Sequence, residues 1–161
     1  MLKQAILLES GPERSYIERI MLRLTKLTDY AIVVLAEMAS SPAARLSSSQ
    51  LAVTTRISEP TVAKILKQLA SAGLVASYRG AQGGYCLPRE AHEVTMRHII
   101  EAIDGPISIA DCVNGATGCS VEHQCRVRGN WDKVNNTIIA ALEGLTLAEM
   151  MQQQNAPVAA E

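Results

Sequence analysis

Ser58-Glu59-Pro60-Thr61-Val62-Ala63-Lys64-Ile65-Leu66-Lys67-Gln68-Leu69, followed by Gly73 and then by Tyr78-Arg79-Gly80-Ala81-Gln82-Gly83-Gly84-Tyr85, decides the fold. Ser58 stands at a helix cap, with Glu59 and Pro60 in the first turn, where a missing N–H costs little. Val62, Ile65, Leu66 and Leu69 recur at helical spacing and predict one buried stripe. Gly73 fits the left-handed residue that ends such a helix. Leu74 to Tyr78 reads as a strand, the Gly-rich run as a turn and Tyr85-Cys86-Leu87 as the returning strand, closed by Pro88.

Upstream, Ser47 to Thr55 predicts a short helix capped by its hydroxyl-rich start, Ser47-Ser48-Ser49, with Leu51 and Val53 apolar. Arg56-Ile57 connects it tightly to the next helix. Ala31, Val34, Leu35 and Met38 predict a helix over Thr28 to Met38, ended by Ser40-Ser41-Pro42. Helix, short helix, tight turn, helix and hairpin in this order predict a mainly α fold, a winged helix-turn-helix with a two-stranded wing.

Downstream, Val94 to Ile103 is amphipathic and is closed by Gly105-Pro106. Trp131 to about Gln154 then carries Trp131, Val134, Ile138, Ala141, Leu142 and Leu145 at near-heptad spacing, which predicts a long C-terminal helix. The expected organisation is an extension over residues 1–20, which translation starting at Met21 would omit; a winged-helix unit over 21–90; a loop and long helix over 91–154; and a disordered Ala/Pro-bearing tail over 155–161.

Between these helical stretches lie Cys112, Cys119 and Cys125, in a Gly-, Asn- and Thr-bearing segment with little apolar periodicity. Three thiols on one loop suit a soft metal centre: an iron–sulfur cluster, zinc or copper(I). The spacing is not that of a zinc finger, which shows two close ligand pairs. Residues Met1 to Leu8 are too short an apolar run for a secretory signal, and no stretch approaches the roughly 18 apolar residues of a membrane span. The expected location is therefore cytoplasmic, where thiols stay reduced and clustered cysteines favour metal or redox chemistry. Cys86, in an alternating segment, reads as a small buried hydrophobe. His123 lies inside the cysteine loop and is a lesser candidate ligand.

The chain of 161 residues has a net charge of −1, is 48% hydrophobic and contains no Phe. Such a core must be aliphatic, which suits helices packed on helices. Charge is divided unevenly: Met21 to Glu90 holds eight basic and four acidic residues, whereas Ala91 to Glu161 holds four and nine. The first half is thus the part suited to an anionic partner. On the third helix, Ser58 and Thr61 can bond to phosphates or bases, and Lys64 and Lys67 can neutralise phosphates. Ser48 is a further candidate at the start of the preceding helix. Arg79, on a Gly-flexible hairpin tip, suits a narrow minor groove. The Gly-rich turn lacks the Lys-Ser/Thr and following helix of a phosphate loop, and no catalytic constellation stands out, so no enzyme is expected. A solvated helix face with an incidental Arg remains the plain alternative.

The chain resembles the Rrf-type winged-helix transcriptional regulators, the group containing IscR and NsrR. Leu24-Thr25-Lys26-Leu27-Thr28-Asp29-Tyr30-Ala31, Gly73-Leu74-Val75, the wing Arg79 to Tyr85, Ile99 to Gly105, the three cysteines, Trp131 and Leu145-Thr146-Leu147-Ala148-Glu149-Met150 carry the resemblance, which spans Met21 to about Met151. It implies a homodimer clasped through the C-terminal helix, a roughly palindromic double-stranded DNA operator, and an iron–sulfur cluster (2Fe-2S or 4Fe-4S) on Cys112, Cys119 and Cys125. In the IscR branch a His three residues after the last Cys ligates; here that position is Arg128, which cannot. In the NsrR branch an Asp from the partner subunit takes this role, and Asp29 matches it, although a carboxylate in the first turn also suits the helix dipole. Leu27-Thr28-Asp29-Tyr30 and Val33-Val34-Leu35-Ala36 look most like regulators of SUF cluster-assembly genes, and repression is the expected sign. The alternatives are a nitric-oxide or thiol-redox sensor of the same fold, or a cluster or redox carrier that does not bind DNA.

Overall fold

The computed structural model describes residues 24–42, 44–80, 83–110, 112–113, 125–127 and 129–152. The elements are α1 (Lys26–Ala39), α2 (Ser48–Thr55), α3 (Glu59–Ser71), β1 (Ala76–Tyr78), β2 (Gly84–Cys86), a 3-10 turn (Ala91–Glu93), α4 (Met96–Asp104), α5 (Asn130–Glu143) and α6 (Leu147–Gln152). The expected extension over 1–20 and the tail over 155–161 fall outside the described residues, as do Cys119, His123 and Arg128.

The helices start and stop where local chemistry directs. Thr25 caps α1 by accepting from the Thr28 N–H. Ser47 and Gln50 form a reciprocal capping box at α2, satisfying two free donors at once. At the end of α3, Leu74 N–H donates to the Leu69 carbonyl (2.9 Å) and Gly73 N–H to that of Ala70 (3.1 Å). With Gly73 at φ +72°, this is the paired C-terminal bonding that a left-handed glycine permits.

Ala31, Val34, Leu35 and Met38 of α1 join Val62, Ile65, Leu66 and Leu69 of α3, Leu51 of α2 and Ile99 of α4 in one buried core. Both predicted stripes thus face inward, and each fully buried Leu or Ile contributes roughly 1.5–3 kcal/mol. Val53, also apolar, points away from the core at 79% exposure.

The wing pairs β1 antiparallel to β2, with Ala76 opposite Cys86 and Tyr78 opposite Gly84. Leu46 adds a third partner through reciprocal 2.9 Å bonds with Tyr85. Gly84 makes this approach possible: a Cβ there would lie 3.1 Å from the Leu46 carbonyl oxygen. The wing is therefore anchored to the segment entering α2.

The long C-terminal helix is present over Asn130–Glu143, but it does not run unbroken to Gln154. The chain turns at Gly144, and Thr146 bridges Thr95. Met96 N–H donates to the Leu145 carbonyl and Leu147 N–H to that of Val94, so this segment docks beside the start of α4. A new capping box, Thr146 with Glu149, then starts α6. Among the described residues no helix is long and apolar enough to cross a membrane.

Candidate nucleic-acid interface and cysteine loop

The buried stripe of α3 leaves its opposite face open. Lys64 and Lys67 are exposed there, Ser58 is exposed and Thr61 is half-buried. Ser58 holds the cap position without making the expected side-chain cap: its hydroxyl instead pairs with that of Thr61 at 2.8 Å. Neighbouring hydroxyls at the start of the helix can donate to phosphate or base acceptors. Ser48, the first residue of α2, donates to a Glu59 carboxylate oxygen at 3.1 Å. This bond ties the starts of α2 and α3 together, and it gives the hydroxyl a prior partner that DNA would have to displace.

Arg79 is exposed at the end of β1. Beside it, the Arg45 guanidinium lies 4.0 Å from the centroid of the Tyr78 ring, within cation–π range. Arg45 went unnoticed in the sequence because it reads as part of a loop. The signal that could have revealed it is the strand-like Leu46 next to it. Four cations, Lys64 and Lys67 on α3, Arg79 at the wing and Arg45 on the segment paired beside it, are thus exposed.

Asp29 is exposed in the first turn of α1. A second carboxylate, also missed, holds this helix start: Asp104, the last residue of α4, accepts from the Thr25 hydroxyl (2.7 Å), the Thr28 hydroxyl (2.7 Å) and the Thr25 N–H (3.4 Å). A negative group here satisfies free donors and complements the positive end of the helix dipole. Cys112 and Cys125 are free and half-buried, as is Cys86 in the wing, which is less enclosed than expected. Among the described residues no three His, Cys, Asp or Glu side chains are gathered as a metal site; Cys119 is not one of those residues. The thiols that are described have the soft-donor chemistry an iron–sulfur cluster requires.

The profile of the family described as "Iron-dependent Transcriptional regulator" (Rrf2) matches residues 24–153. The chain is 30% identical over 132 residues to Protein aau3 of Rhizobium meliloti, covering 81% of this chain and 86% of that protein. Its fold is similar to that of CymR, the global cysteine regulator of B. subtilis: TM-score 0.66, 27% identity, 84% of this chain and 100% of that one. It is also similar to T. potens IscR: TM-score 0.60, 28% identity, 87% and 93% of the two chains. With the family profile spanning all of α1 to α6 on a winged-helix frame, the chain belongs to the Rrf2 family and is a DNA-binding transcriptional regulator rather than an enzyme.

Proposed function

We propose that this regulator reads thiol redox state through Cys112, Cys119 and Cys125 and passes it to the winged helix as a change in operator affinity. The observation that carries the reading is the pair of free, half-buried thiols, Cys112 and Cys125, on the segment joining the winged-helix core to α5. Partial exposure lets an oxidant or nitric oxide reach them. Oxidation of two of the thiols to a disulfide gives up two electrons and two protons, which a peroxide accepts as it becomes water. The likeness to a global cysteine regulator supports the same reading. Ser48, Ser58, Thr61, Lys64, Lys67 and Arg79 make the DNA contacts, and two copies joined through α5 present two such heads to a double-stranded operator.

A second reading is favoured by the family's iron-dependent description and the likeness to an IscR. Here the same three cysteines hold an iron–sulfur cluster with Asp29 as fourth ligand, and the regulated genes are those of SUF cluster assembly, under repression. A bound cluster would supply redox and iron sensitivity, and the thiolates and the Asp29 carboxylate would hold it.

The test is operator affinity before and after peroxide, in wild type and Cys112→Ser, beside an absorption and Mössbauer spectrum of protein purified without oxygen. The thiol reading expects colourless protein whose affinity shifts on oxidation, with the shift lost in Cys112→Ser. Iron–sulfur bands that vanish in Cys112→Ser would replace it with the cluster reading. Affinity indifferent to peroxide in colourless protein would overturn both.

A further inference from the structure

Asn135 is the only wholly buried residue of α5, at 0% exposure, and is one of two buried polar residues among those described. Both ends of its side-chain amide are used. Its Oδ1 accepts from the Ile109 N–H and its Nδ2 donates to the Ile107 carbonyl, each at 3.2 Å. A carbonyl and an N–H two residues apart are what a neighbouring strand would pair with, so one side chain stands in for a strand. An apolar residue here would leave two backbone groups of the loop short of a partner, which is unfavourable for any that stays buried. Asn is also a poorer helix former than Leu or Ala, so helix stability does not account for it.

The segment it holds leads directly to Cys112. Ile107 and Val113 are buried, at 8% and 1% exposure. Val113 N–H and the Ser108 hydroxyl both donate to the Ala110 carbonyl, at 3.1 and 3.0 Å. Cys112 is therefore a half-buried thiol held between two buried anchors, on a turn whose entry is clamped by Asn135. Elsewhere on α5, Leu142 packs against the core, whereas Trp131 and Val134 are 43% and 44% exposed.

We propose that Asn135 is the positioning residue of the cysteine loop, setting the exposure of Cys112 and coupling the backbone before it to α5. Displacement of the Cys112 turn must either break the two amide bonds or carry α5 with it. The proposal rests on the reading of Cys112 as a sensing thiol, but its test does not require Cys112 to sense anything.

The test is site-resolved alkylation by iodoacetamide of full-length protein purified without oxygen, with Cys86 in the wing as internal reference. Asn135→Ala is expected to raise the Cys112-to-Cys86 rate ratio about tenfold, the order expected for losing one buried and one part-buried hydrogen bond. Arg97→Ala, which cuts the Arg97–Glu143 contact between α4 and α5, should leave the ratio within about twofold. Equal acceleration of both cysteines would reduce Asn135 to a general stabiliser and overturn the proposal, as would an unchanged ratio. Should Asn135→Ala not fold, hydrogen exchange of the wild type decides: the Ile109 amide should be protected like the interior of α5, and exchange at the rate of an open loop would overturn the clamp. Failure of the sensing reading looks different, as operator affinity indifferent to oxidation with the alkylation ratio still shifted.

Discussion

Lys64 projects from the open face of α3, while Val62, Ile65 and Leu66 turn into the core. Such a lysine acts on DNA as a point charge and releases counterions when it meets phosphate. Lys64→Ala should weaken operator binding and reduce the slope of log affinity against log salt by about 0.9, with stability changed by less than ~0.5 kcal/mol. Equilibrium binding at several salt concentrations checks this; an unchanged slope would place Lys64 off the phosphate backbone. At the other end of the chain, the carboxylate of Glu149 accepts from the Thr146 N–H and hydroxyl, which hold its pKa below the ordinary 4.5. A carboxylate whose folded pKa is depressed stabilises fully above the unfolded value and loses that contribution as pH falls through the folded one. Docking of α6 should therefore weaken only below about pH 4.5, and Glu149→Gln should flatten that acid-side dependence in a pH titration followed by NMR.

Elements built on apolar period were legible from residue types alone, whereas joints built on backbone pairing were not. The stripe Val62, Ile65, Leu66 and Leu69 is wholly buried as its spacing predicted. The break at Gly144 was missed because Leu142 and Leu145 carry the apolar period across it. Its visible sign was the cap Thr146 followed by Glu149, a helix-start pattern inside an apparent helix. The bonds from Leu46 to Tyr85 and from Asn135 to the loop join residues far apart in sequence, and no local pattern announces them. The exposure of Lys64 and Lys67 on α3 and of Arg79 at the wing agrees with their spacing in the sequence, whereas Arg45 carried no such signal. Two predictions belong to these joints. Gly83 lies where a Cβ would come within 2.6 Å of the Tyr78 carbonyl oxygen and 2.8 Å of that of Gly80. Gly83→Ala should distort the wing tip and lower operator affinity about as much as Arg79→Ala, while the helical core melts within a few degrees of wild type, as calorimetry would show. Asp104→Ala removes the acceptor shared by Thr25 and Thr28. Its expected cost is ~1 kcal/mol by urea unfolding, moderated by solvent at this exposed carboxylate, with faster hydrogen exchange confined to the first turn of α1.

Across the whole molecule, α5 is the element least explained by its own chain. Only Asn135 on it is fully buried, while Trp131 and Val134, with Leu145 just beyond its end, are more than 40% exposed. Large apolar groups left in water on and just beyond one helix suit contact with another chain. Two copies joined there would satisfy a two-fold interface, in which each α5 packs on its partner and the two wings face one duplex, matching the symmetry of a palindromic site. The affinity of the pair then depends on both heads binding as one unit, so the interface and the operator are linked energetically although they lie on different elements. Trp131→Glu places a charge in this contact without touching the α1–α4 core. It should convert a dimer to a monomer in sedimentation velocity and reduce operator affinity by roughly a hundredfold or more, the scale on which linked binding exceeds single binding, while binding to a half-site oligonucleotide stays within about threefold. A Trp131→Glu protein that remains dimeric would move the interface away from α5, and with it the route by which a displaced Cys112 turn could alter the spacing of the two heads.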